Sequence, residues 1–223
     1  MQSAVDYFCI YLPQRAREFN RSNILSAAIL SSELLCKAWG TLTEHTLRYR
    51  RPDGSNAEIS REVYDRGQAA AVLLHNLERD TVVLVRQFRP PPLINGSNPY
   101  ILEACAGILD GDPPEECARR EALEEAGIVV DDLRLVSASY GNPAALTEVV
   151  SMYIGTFTDI GRTAGGGLVH EGEDIEVIEM PFEAAFSMVA SGEIVDMKTV
   201  ILLQAMKIER ITGAYRQPVA GVP

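Results

Sequence analysis

Cysteine and histidine are scarce in this chain: Cys9, Cys36, Cys105 and Cys117 are its four cysteines, and His45, His75 and His170 its three histidines, in 223 residues. No two cysteines form a CxxC pair and no Cys/His spacing suits a structural zinc site, so the cysteines read as reduced packing residues. Positive charge is also short. Twenty Lys and Arg stand against 31 Asp and Glu, a formal net charge of −11. Without a basic stripe nucleic acid is a poor partner, because phosphate contacts supply most non-specific affinity. A phosphorylated small molecule is not excluded, since a divalent cation reverses the local sign. Long apolar runs are missing too. Nothing approaches the roughly 18 consecutive apolar residues of a membrane span, and the start, MQSAVDYFCIYLPQRAREFN, lacks a basic head before an apolar run that Pro13 interrupts, so it fails as a secretory signal. A cytoplasmic protein with no membrane partner is expected.

What is present is patterned. Residues 1–38 read as an N-terminal extension of unassigned role, where apolar runs at Ile24 to Ile29 and Leu34 to Leu35 suit a short helix. TLTEHTLRYRR and AEISREVYDRG are two extended stretches around Pro52-Asp53-Gly54, a hairpin-like small β domain over 39–66. AAAVLLHN (69–76) and TVVLVRQF (81–88) form a second, buried hairpin that opens the main domain, 67–210. Pro90 to Pro92 stop the strand, a loop follows, and YILEACA (100–106) returns as one strand. A helix is expected from about Pro113 to Ala126, with Asp112 capping it and Gly127 ending it. VVSMYIGTF and DIEVIEMP read as strands, PFEAAFSMVASG and MKTVILLQAMKIER as helices, and 211–223 as a tail. Strands flanked by helices in mixed order give an α/β or α+β sandwich.

The chemistry concentrates in GILDGDPPEECARREALEEAGI, residues 107–128. On the expected helix Glu121, Glu124 and Glu125 share one face. Three carboxylates there repel unless a hard cation joins them, and Mg²⁺ takes oxygen ligands while keeping waters for substrate phosphates. Arg120 can hold one of the carboxylates by a charge-assisted bond.

This segment resembles the signature of the Nudix hydrolases, which runs Gly, five residues, Glu, seven residues, then Arg-Glu-aliphatic-any-Glu-Glu-any-Gly-aliphatic. Arg120-Glu121, Glu124-Glu125, Gly127 and Ile128 match in register, with Gly107 as the opening glycine. Asp112 stands where the family has Glu, the loop before it is one residue short, and Ala122 replaces a larger aliphatic. SREVYDRG (60–67), VVLVRQFRPP (82–91), LEACAGILDGD (102–112), LTEVVSMYIG (146–155) and SGEIVDMKTVILL (191–203) extend the likeness to the GDP-mannose pyrophosphatase subgroup, close to the ADP-ribose pyrophosphatases, over roughly 39–206.

The resemblance implies a Nudix α/β/α sandwich with a mixed sheet and a small N-terminal β-hairpin domain exchanged in a homodimer. It implies Mg²⁺, with Mn²⁺ as a substitute, held by Glu121, Glu124, Glu125, Glu173 and the carbonyl of Ala106, and catalysis by Glu121, Glu125 and Glu173, with the adjacent Glu171 and Asp174 as alternatives to Glu173 for activating water. Substrate positions carried over are Trp39, Arg61, Glu62, Arg89, Ala106, Gly107, Ile108, Glu125, Glu148, Glu173 and Lys198, where Arg61 and Glu62 reach the partner subunit's nucleotide. The implied reaction splits a nucleoside diphosphate sugar, foremost GDP-mannose to GMP and mannose 1-phosphate. An ADP-ribose or broad nucleoside diphosphate sugar pyrophosphatase, and a non-catalytic module binding a nucleotide sugar, are the alternatives. The glycines at 165–167 lack a phosphate-loop pattern and read as loop flexibility.

Overall fold

The computed structural model describes residues 27–167 and 174–213. The chain divides into two compact units: one runs to Gly67 and takes in Tyr140–Val149, the other contains Gln68–Ser139 and the chain from Val150. No helix among the described residues is long and apolar enough to cross a membrane.

The first unit is a three-stranded antiparallel sheet, β1 (Ala27–Lys37), β2 (Thr41–Arg50) and β3 (Asn56–Asp65), in that order. The expected hairpin is β2 and β3, in register from Thr41↔Asp65 to Arg50↔Asn56. Asp53 shapes its turn, accepting bonds from the Ser55 amide at 2.8 Å and hydroxyl at 2.7 Å. Of the apolar runs expected to form a short helix, Ala27 to Ile29 and Leu34 to Leu35 lie instead in the strand β1, and Ile24 to Ser26 lie outside the described residues. AAILSSELLCK is rich in helix formers, yet β1 pairs with β2 from Ala27↔Tyr49 to Lys37↔Thr41. Pairing to a neighbour overrides a weak local preference.

The second unit carries a seven-stranded sheet ordered β10-β5-β4-β9-β8, with β6 on β5 and β7 on β4. Its strands are β4 (Ala69–Asn76), β5 (Thr81–Phe88), β6 (Tyr100–Glu103), β7 (Cys105–Ile108), β8 (Asp132–Tyr140), β9 (Val149–Phe157) and β10 (Glu176–Pro181). The sheet is mixed, since β4 runs parallel to β9 and antiparallel to β5. Successive side chains alternate across it. Val72, Leu74, Val83 and Val85 pack on one face against Cys117, Ala118, Ala122 and Ala126 of helix α2 (Pro114–Ala126). Leu73, Leu84 and Met152 pack on the other against α3 (Phe182–Ser191) and α4 (Met197–Thr212). This is the α/β/α arrangement expected.

Three features depart from the sequence reading. The proline run opens a short helix, α1 (Pro90–Ile94), because Pro suits a first helical turn. DLRLVSASY forms β8, whose half-buried pattern gives no clean alternation. YILEACA is not one strand: it breaks at Ala104, β6 pairing with β5 and β7 with β4. Strands β4 and β5 pair with each other at Leu74 to Asn76. Towards their other ends β7 and β6 take those places, which brings Ala106 and Gly107 beside α2.

Candidate active site

The box begins where β7 ends. Gly107 is followed by a tight turn in which the Asp112 amide donates to the Leu109 carbonyl at 2.7 Å, with Asp110 at φ 45° and Gly111 at φ 96°. Asp tolerates this left-handed region better than most residues, so the shortened loop closes with glycine at only one of its two left-handed positions. Pro113 precedes the first helical residue and no side chain caps α2. Asp112, expected as the cap, instead accepts a bond from Nε of Arg120 at 3.2 Å. Gly127 ends the helix in the left-handed conformation, φ 68°, as expected.

Arg120 organises the carboxylates. Its Nη1 donates to Glu121 at 2.7 Å and to Glu124 at 3.2 Å, and its Nη2 donates to the Ile108 carbonyl at 3.1 Å. Burial opposes the charge of this guanidinium, but Glu121 first, then Asp112 and Glu124, hold its pKa above the ordinary value. Glu121 and Glu125 are both buried. A Cβ on Gly107 would lie 2.0 Å from the Glu121 carboxylate, so glycine there makes the room that carboxylate occupies. The Glu125 carboxylate accepts from the Gln87 amide at 2.6 Å and from the Ala106 backbone N–H at 3.0 Å.

A second polar cluster lies across β5, β6 and α4. Glu103, buried on β6, bonds Nε of Arg89 and, at 3.3 Å, Nζ of Lys198. Lys198 also donates to Asp196 at 2.7 Å. Asp196 caps α4, accepting from the Thr199 amide at 3.0 Å and hydroxyl at 2.6 Å, while the Thr199 oxygen accepts from the Ala104 N–H at 2.7 Å. The strand break before Ala106 is thereby tied to a helix N-terminus. Burial works against the charges of Arg89 and Lys198, yet their carboxylate neighbours leave both pKa values raised.

Two of the glycines at 165–167 are bonded to α2. Gly166 and Gly167 donate to the carbonyls of Glu125 and Glu124 at 2.9 and 3.1 Å, and Thr163 donates to Gly127 at 2.7 Å. Helix C-termini leave such carbonyls unsatisfied. A Cβ on Gly165 would fall 2.5 Å from the Ala126 carbonyl carbon. Close backbone approach accounts for Gly165, and positive φ, 110° and 76°, for Gly166 and Gly167, so flexibility alone does not explain them.

The NUDIX domain family matches residues 65–200, and the GDP-mannose pyrophosphatase NudK N-terminal domain matches residues 27–64. The chain belongs to the Nudix family. A GDP-mannose pyrophosphatase of Klebsiella pneumoniae subsp. pneumoniae is 45% identical over 184 residues, 82% of this chain and 92% of that protein. One from Cronobacter sakazakii is 43% identical over 189 residues, 84% of this chain and 98% of that protein. A solved structure described as an ADP compounds hydrolase superposes with a TM-score of 0.64 at 19% identity, covering 86% of this chain and 97% of that one, a likeness of fold.

Within the Nudix box the structure brings together Glu121, Glu124 and Glu125 with the backbone of Ala106, Gly107 and Ile108. Among the described residues no three His, Cys, Asp or Glu side chains converge on a ready-made metal position. The donor chemistry nevertheless fits a hard divalent cation of the kind Nudix hydrolases generally use: two buried carboxylates stand beside a strand-end backbone, and Gln87 and Ala106 meet Glu125 through neutral N–H groups. Arg89 and Lys198 come together on Glu103. Trp39, Arg61, Glu62 and Glu148 belong to the first unit. Trp39 is 81% exposed with the Arg66 guanidinium 3.8 Å from its ring centroid; Arg61 and Glu62 are exposed and adjacent on β3, so they face opposite sides of the strand. Glu148 is half-buried just before β9. Glu173, with Glu171 and His170, lies outside the described residues. Gln87, Glu103, Asp196 and Thr199 are the polar residues that the sequence reading missed.

Proposed function

We propose that this chain is a metal-dependent pyrophosphatase that hydrolyses a nucleoside diphosphate sugar, GDP-mannose foremost, to a nucleoside monophosphate and a sugar 1-phosphate. The observation carrying this reading is the buried pair Glu121 and Glu125 beside Ala106 and Gly107, in a chain similar over most of its length to proteins named GDP-mannose pyrophosphatase. Glu121, Glu124, Glu125, Glu173 and the Ala106 carbonyl would hold Mg²⁺, or Mn²⁺ in its place. The bound metal supplies positive charge against the diphosphate and the departing phosphate. Arg120 keeps Glu121 and Glu124 on one side of α2, and Gln87 fixes the rotation of the Glu125 carboxylate. Arg89 and Lys198 bind phosphate oxygens, a task for which a guanidinium fork is suited. A water oxygen bonds to phosphorus while the bridging P–O bond breaks, and Glu125 or Glu173 takes the water's proton.

The proposal extends to a homodimer in which Arg61 and Glu62 reach the neighbour's nucleotide, with Trp39 and Glu148 as further contacts. Supporting it, β1 exposes Ile29, Leu30, Leu34 and Leu35, apolar residues that invite cover. Rates with Mg²⁺ on GDP-mannose, GDP-glucose, ADP-ribose, ADP-glucose and UDP-glucose test the specificity. The highest kcat/KM is expected for GDP-mannose. A preference for ADP-ribose overturns the assignment of the base and sugar, and inertness towards all five overturns the hydrolase.

A further inference from the structure

We propose that Glu103 is a positioning residue that holds Arg89 and Lys198 together as a single clamp for the substrate diphosphate. The inference rests on the pyrophosphatase reading above and goes past it, to a residue outside the box that touches neither substrate nor metal.

The geometry is specific. The Glu103 side chain is 4% exposed, whereas Arg89 is 40% and Lys198 20% exposed, so the carboxylate lies beneath and the two cations lie towards solvent. Arg89 meets Glu103 through Nε alone; among the described residues its two Nη groups make no hydrogen bond. A guanidinium has five N–H donors. The four on Nη therefore remain for an incoming oxyanion in the fork geometry that suits phosphate. Lys198 gives one N–H to Asp196 and one to Glu103, leaving a third. Each oxygen of Glu103 takes one cation, so neither cation needs to leave it to meet substrate.

Glu103 is itself held. It ends β6, paired Val85↔Glu103 on β5, and the next residue, Ala104, donates its N–H to Thr199 at 2.7 Å. Thr199 donates in turn to Asp196, the cap of α4 that also holds Lys198. The chain from strand to helix and back is closed, and both cations are placed before substrate arrives. Two like charges this close to one carboxylate repel without it, and burial already disfavours the Lys198 ammonium. A buried ion-pair network is weak ground for stability, since well-packed apolar residues often serve as well. Pre-organisation is the function it supplies here, and it acts on binding before chemistry.

Steady-state kinetics of Glu103→Gln with GDP-mannose and Mg²⁺ is the test, alongside Arg89→Ala and Lys198→Ala. Glu103→Gln should raise KM about tenfold or more, the scale of losing a hydrogen bond to a charged group, with a much smaller change in kcat. Calorimetric binding of inorganic pyrophosphate should weaken in parallel. In the Arg89→Ala background the same substitution should cost far less, because half of what Glu103 positions is gone. If Glu103→Gln does not fold, Glu103→Asp retracts the charge by one methylene and should raise KM by an intermediate factor. An unchanged KM and pyrophosphate affinity in the folded variant, or full additivity with Arg89→Ala, overturns the role of Glu103. If Arg89→Ala and Lys198→Ala themselves leave KM unchanged, the diphosphate reading of those two cations fails instead, and the clamp with it.

Discussion

Glu121 and Gly107 fix each other: the carboxylate lies where a Cβ would stand, and Arg120 holds it from the other side. Glu121→Gln and Glu125→Gln keep shape while removing charge, and each should lower turnover by roughly a hundredfold or more with little loss of fold, read as kcat at saturating Mg²⁺. Glu173→Gln should lower kcat far more than it raises KM; a change confined to KM would make it a binding residue. Two thiols in and beside the box are expected to be silent. Cys105 and Cys117 are buried, and burial, then the field of Glu121, pushes the Cys117 thiol up to about 11. Alkylation at pH 8 followed by peptide mapping should label Cys36, which is exposed, and leave Cys105 and Cys117 unmodified until denaturant is added. The box carboxylates were legible because helical spacing places them on one face within a few residues. Gln87 and Glu103 were not, because Gln87 meets Glu125 and Glu103 meets Lys198 only after distant strands and helices pack.

Helix α2 does its work as an element held at both ends. Asp112, two residues before it, accepts a bond from Arg120, and Gly166 and Gly167 donate to carbonyls of its last turn. Gly165→Ala should therefore lower the melting temperature more than Gly192→Ala. Both sit at positive φ, 65° and 79°, and share that backbone penalty of about 1–2 kcal/mol, but only the first adds a collision with α2, while nothing lies within 4 Å of a Cβ at 192. Equal melting shifts would show that the contact carries no weight. Elements read well where the pattern was strong: AAAVLLHN and TVVLVRQF are β4 and β5 to the residue. The reading failed where tertiary pairing decides. β1 is a strand because β2 accepts it, β8 shows no alternation of buried and exposed positions, and the break between β6 and β7 follows from their pairing with different neighbours.

At the scale of the whole molecule, the box and the order of the elements made the family legible in the sequence, while the proposed subunit exchange has only indirect support, the apolar residues exposed on β1. Mixing inactive Arg61→Ala and Glu121→Gln proteins tests that exchange. Shared sites give mixed dimers with one site carrying both defects and one carrying neither, so activity should partly return after subunit exchange. Failure to recover after proven exchange, or a fully active monomer by light scattering, would defeat it. On the proposed function the box carboxylates serve a metal-dependent cleavage between the two phosphorus atoms of a nucleotide sugar. Phosphorus NMR of GDP-mannose with chelator-stripped protein, before and after adding Mg²⁺, measures this directly. No change is expected before the metal and, after it, loss of the diphosphate signals with equal growth of GMP and mannose 1-phosphate. Equal rates without metal, or release of GDP and free mannose, would contradict it.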